Sequence, residues 1–114
     1  MKIIKNTLKK LYNFNAQVNV SPLDGLMFLG SKYQGYYVPD HYLGVSSLCY
    51  CIGAGSDISL DVELVTKYGA QVFVLDPMPY ALEHFNELVA KTNQGHKMIT
   101  GTSEYSYVYD ISNT

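Results

Sequence analysis

Apolar and polar positions change period several times along the chain, and each change marks an element. The run LCYCI from Leu48 to Ile52 is apolar almost throughout, the pattern of a fully buried parallel strand, and it stops at Gly53-Ala54-Gly55. A helix is predicted directly after that turn. Ile58, Val62 and Val65 fall on one stripe, and Leu64 and Tyr68 widen it. Asp57 and Asp61 suit the positive end of the helix dipole, and Gly69 suits a C-terminal cap. The run QVFVL from Gln71 to Leu75 is then a second strand, ending in Asp76-Pro77. These residues make one βαβ unit.

The flanking stretches are simpler. Met1 to Tyr12 places Ile4, Leu8, Leu11 and Tyr12 on one helical face with Lys2, Lys5, Lys9 and Lys10 around it. Such a helix either packs on the domain or touches an anionic membrane surface, and its shortness favours packing. Phe14 to Val20 alternates as a half-buried strand, and LMFLG, SKYQG and YYVP predict short strands joined by glycine turns and finishing at Pro39. Beyond Asp76, Pro79 suits a first helical position, and Leu82, Phe85, Leu88 and Val89 give a second amphipathic helix ending near Thr92. One or two further strands are predicted in the tail, the first of them, KMIT, a candidate third parallel strand.

In an open parallel sheet, ligands lie outside the carboxyl ends of the strands, which puts the Gly53–Gly55 turn and Asp76 side by side. Gly55 and Asp76 are 21 positions apart, close to the spacing at which a strand-end acid meets a ribose. An adenosine-type cofactor fits that pattern. The competing reading of Asp76 is a turn carboxylate ahead of Pro77. A dinucleotide would require a third glycine where Ile58 stands and a helix start free of negative charge, where Asp57 stands. A carboxylate ~5 Å from a phosphate oxygen costs roughly 3 kcal/mol at an effective dielectric near 20, a penalty of more than a hundredfold. S-adenosylmethionine carries a sulfonium and no phosphate, so the charge pattern favours it over NAD.

The residues GYYVP at Gly35 to Pro39, CYCIGAGSDISLDVEL and VFVLDPMP resemble the FkbM-like group of S-adenosylmethionine-dependent methyltransferases over roughly residues 35 to 86. The resemblance implies a class I methyltransferase fold, with Gly53, Ala54 and Gly55 lining the methionine part of the cofactor and Asp76 holding its ribose. Asp57 and Pro77 complete the candidate cofactor-binding set. Two positions depart from the general methyltransferase pattern. Cys51 stands where an acidic residue is common, and the third glycine is missing, which leaves the amino-acid end of the cofactor without an evident anchor.

With 114 residues, 47% hydrophobic and 16% charged, the chain has the composition of one globular domain. The net charge of −2 offers no basic stripe for nucleic acid. Cys49 and Cys51 share one strand face and are too constrained to bridge each other, so reduced thiols are expected. His41, His84 and His96 form no metal-ligand pattern, and His84 lies between the apolar positions of the second helix. No apolar run reaches the length of a membrane span and no secretory signal is evident, so the expected location is cytoplasmic. Eleven tyrosines stand out. Tyr33, Tyr36 and Tyr37 serve either a sugar-binding surface or ordinary packing.

The expected fold is therefore α/β: a partial Rossmann-like parallel sheet with flanking helices, preceded by an N-terminal helix and β extension. Residues 1–39 form the extension and residues 40–114 a truncated cofactor-binding unit, since the methyltransferase class implies seven strands and three or four are counted here. The expected function is the S-adenosylmethionine-binding portion of an O-methyltransferase acting on a hydroxyl of a sugar or small metabolite. The alternative is a non-catalytic Rossmann-like binding or assembly module. Open strand edges predict a homo-oligomer.

Overall fold

The computed structural model describes residue 21, residues 23–101 and residues 106–111. The helix expected over Met1–Tyr12 and the strand expected over Phe14–Val20 lie outside them. The described elements run β1 (Leu26–Leu29), β2 (Tyr36–Pro39), a short 3-10 turn (Asp40–Tyr42), β3 (Leu48–Ile52), α1 (Ser59–Tyr68), β4 (Gln71–Leu75), α2 (Pro79–Asn93), β5 (Met98–Thr100) and β6 (Tyr107–Tyr109). Among the described residues they make a mixed α/β arrangement of three two-stranded sheets and two α-helices.

Among the described residues only β3 and β4 are parallel, with Leu48 opposite Gln71, Tyr50 opposite Phe73 and Ile52 opposite Leu75. β1 and β2 form the antiparallel hairpin that the glycine turns predict. The KMIT stretch does not add a third parallel strand. β5 pairs antiparallel with β6, Met98 opposite Tyr109 and Thr100 opposite Tyr107, because the tyrosine-rich tail returns alongside it.

Local chemistry accounts for the helix ends. Gly69 closes α1 in the left-handed conformation, its N–H donating to the Val65 carbonyl at 2.8 Å. Pro79 opens α2, where a missing N–H costs nothing. α1 begins at Ser59, later than the glycine turn alone implies. Asp57 Oδ1 takes the Ser59 N–H at 3.0 Å while its Oδ2 accepts the Ser31 hydroxyl at 2.6 Å, so residues 56–58 stay outside the helix.

The core lies beside the start of α1. Ala54, Ile58, Leu88, Met98 and Tyr109 bury together, with Val62, Tyr107 and Ile111 against them. The helices face Val72 and Val74 of β4 across an apolar cavity of about 330 Å³ that Val62, Phe85, Leu88 and Val89 also line. On the other face of β3–β4, Leu48, Tyr50, Ile52, Phe73 and Leu75 are exposed. A parallel pair that the described residues cover on one face departs from the doubly covered sheets in which parallel strands usually occur.

Candidate functional site

The carboxyl ends of β3 and β4 meet at one crest. The ladder continues one step past the strands, with the Gly53 N–H donating to the Leu75 carbonyl at 2.9 Å. Gly53 and Gly55 then take φ of 86° and 57°, a left-handed backbone that turns the Ala54 and Gly55 N–H groups toward one point. Asp76 stands at that point. Its Oδ2 accepts both N–H groups at 2.8 Å, and its Oδ1 accepts the Met78 N–H at 2.8 Å. The N–H groups of Gly55, Met78 and Ala54 hold the carboxyl below the usual carboxylate range.

The predicted site residues are thus brought together unequally. Gly53, Gly55 and Asp76 form the crest, and Pro77 follows at the surface. Ala54 contributes its N–H, while its methyl group is buried in the core. Asp57 lies one turn away and is engaged by Ser31 and Ser59. The Asp-Pro bend is also real: the carboxylate anticipated at a ribose organises its own turn.

A cleft of about 790 Å³ is lined among others by Tyr33, Ser56, Asp57, His84, Glu87 and Thr100, Ser56 being the residue after Gly55. A hydrogen-bond network that shares Tyr33, His84 and Thr100 with this lining reaches across the fold. Ser31 donates its N–H to Ser59 Oγ at 2.6 Å, and its hydroxyl receives the N–H groups of Tyr33 and Gln34. Thr100 donates its hydroxyl to the Ser56 carbonyl at 2.6 Å. Tyr109 Oη accepts the Ile58 N–H at 3.0 Å and shares a 2.9 Å hydrogen bond with His84 Nε2. Burial pushes the Tyr109 phenol up to about 12 and the His84 imidazole down, so the phenol keeps its proton and the imidazole is neutral near pH 7. Glu63 ties the same helix to its neighbours, accepting the Gly30 N–H at 3.0 Å and the Tyr107 hydroxyl at 2.6 Å.

Ser31, Ser59, Thr100 and Tyr109 are residues that sequence reasoning did not single out for this region. Tyr109 falls in the tail, where a further strand is predicted, but the partner of its hydroxyl lies 51 positions away. Nothing local announces such a pairing.

The cysteines are free and half-buried, as expected of reduced thiols. Burial and a hydrogen bond to Asp61 push the Cys51 thiol up to about 12, which makes it unreactive near neutrality. Asp61 is itself buried, with Oδ1 lacking a hydrogen bond, and burial raises its carboxyl above the usual range. Among the described residues no group of three or more His, Cys, Asp or Glu could hold a metal ion, and no helix is long and apolar enough to cross a membrane.

The comparisons with known proteins return no match: no family model, no curated protein and no solved structure.

Proposed function

We propose that the crest binds the adenosine end of S-adenosylmethionine, and that the chain is the cofactor-binding portion of an FkbM-like, Rossmann-type O-methyltransferase. The observation that carries this reading is the convergence of Asp76 and the Gly53–Gly55 turn at the carboxyl ends of the only parallel pair among the described residues. A carboxylate has about four acceptor positions, and the backbone uses three at Asp76, so Oδ1 keeps one for a ribose hydroxyl. The two N–H groups that would otherwise receive a phosphate are already neutralised by that carboxylate. NAD is disfavoured for this reason as well as for Asp57.

The cleft that begins at Ser56 carries Asp57 on its wall, which suits a positively charged ligand, while Glu87 there is already paired with Lys91 at 2.8 Å; its volume accommodates a nucleoside-sized molecule with room for an acceptor. S-adenosylmethionine supplies an electrophilic methyl carbon on a sulfonium. The chain's part is to hold the acceptor hydroxyl of a sugar or small metabolite in line with that carbon and to exclude competing water. His84 is neutral and faces the cleft, yet its Nε2 is committed to Tyr109, so no general base is assigned.

Calorimetric titration with S-adenosylhomocysteine, run beside NAD and repeated on Asp76→Ala, tests the reading. Saturable binding of the first ligand, weakened tenfold or more by Asp76→Ala, is expected. Equal binding of NAD, or no dependence on Asp76, would refute it. The second reading, a non-catalytic Rossmann-like assembly module, is favoured by a specific observation: the Ala54, Gly55 and Met78 N–H groups already occupy most of the Asp76 carboxylate, while no described element covers the β3–β4 face that carries Tyr50 and Phe73.

A further inference from the structure

Leu48, Tyr50 and Ile52 of β3 lie level with Gln71, Phe73 and Leu75 of β4, so all six project from the face opposite α1 and α2. Five are apolar and none is charged. Tyr50 and Phe73 stack at 5.3 Å with only 18° between their rings, which joins the two strands' aromatic side chains into one apolar cluster at the centre of the face. Exposure reaches 63% at Tyr50 and 84% at Ile52. No described element covers these side chains.

We propose that this face docks a second copy of the chain, sheet against sheet about a twofold axis. The chemistry of the face selects that partner. With no charged group on it, the surface offers nothing to an acidic or basic partner, whereas an apolar patch set against its own copy buries only apolar surface on both sides. The five side chains leave roughly 500 Å² exposed per copy, so a symmetric pairing removes about 1,000 Å², the lower bound for a specific interface. Two β3–β4 pairs would then lie ~10 Å apart, each supplying the covered second face that a parallel pair ordinarily has. The oligomer expected from open strand edges would pair edge to edge, whereas this pairing uses the sheet face. This inference is independent of the cofactor reading.

The test is sedimentation velocity on the full 114-residue chain, with Tyr50→Lys, Ile52→Lys and the control Tyr42→Lys, whose side chain is exposed and lies outside β3 and β4. The expected result is a wild-type species of twice 12.8 kDa. Tyr50→Lys and Ile52→Lys should weaken association at least tenfold with unchanged far-ultraviolet circular dichroism, and Tyr42→Lys should leave it intact. Because Ile52 is the more exposed, it keeps the test decisive if Tyr50→Lys does not fold. A monomeric wild type overturns the proposal, including one in which residues 1–20 protect Tyr50 from nitration. So does a dimer that both face variants leave unchanged.

Discussion

At the crest, one carboxylate joins two turns: Asp76 gathers three backbone N–H groups, the farthest 22 positions away. At the start of α1, Ser31, Asp57, Ile58, Ser59, His84 and Tyr109 are joined from the hairpin loop, the helix start, α2 and β6. The two regions are adjacent in the chain and built on different plans. One lies at the strand ends, where the proposed cofactor would bind. The other is buried and closes the fold, so stability should reside in the second and ligand recognition in the first.

The strongest way to break that division is at the hairpin loop. A methyl group on Gly35 would lie 2.4 Å from the Leu29 carbonyl oxygen and 2.5 Å from that of Ser31, both backbone atoms that cannot step aside. Gly35→Ala is therefore expected to cost about 3 kcal/mol or more in urea unfolding. Next comes Tyr109→Phe, which keeps the ring but leaves the Ile58 N–H without its acceptor. A loss of about 1–2 kcal/mol is expected, with the amide resonances of Ala54 and Gly55 unmoved. If those resonances shift as far as they do on Asp76→Ala, the two regions are one unit.

Asp61 and Asp76 sharpen the comparison through pH, with opposite signs. Asp61 is raised by burial, so its contribution is fully present below the unfolded value near 4 and is lost as pH rises through the folded value. Asp61→Asn should remove that loss, raising stability at pH 7 by about 1 kcal/mol in thermal unfolding while matching wild type in acid. Asp76 is depressed by its N–H partners, so the order it confers is present above about 4 and is lost only as pH falls through the folded value. An acid titration followed by NMR should show the Gly55 amide holding position down to about pH 4 and moving below it. Movement centred above pH 4 would deny the hydrogen bonds to Asp76.

The same contrast explains what could be read in advance. The strands Leu48–Ile52 and Gln71–Leu75, the cap at Gly69 and the opening of α2 at Pro79 follow from residues within a few positions of one another. The turn and its acid were legible because each closes one of those strands, and the carboxyl ends of parallel neighbours lie side by side. The start of α1 was not, because Ser31, 26 positions earlier, helps hold Asp57 outside the helix. The pairing of β5 was not either. A three-residue strand gives no sign of whether its partner is β4 or a tail that comes later. Val65 was placed on the buried stripe of α1 but is partly exposed, since that stripe faces an open cavity rather than packed side chains.

Ligand location at the crest is tested most directly by two-dimensional NMR of the labelled chain during addition of S-adenosylhomocysteine. The account predicts saturable shifts centred on Gly53, Gly55 and Asp76, extending to Ser56 and Asp57 at the mouth of the cleft, with none on Tyr50 or Phe73. Absence of shifts at saturating ligand, or shifts confined to residues away from the crest, would contradict it.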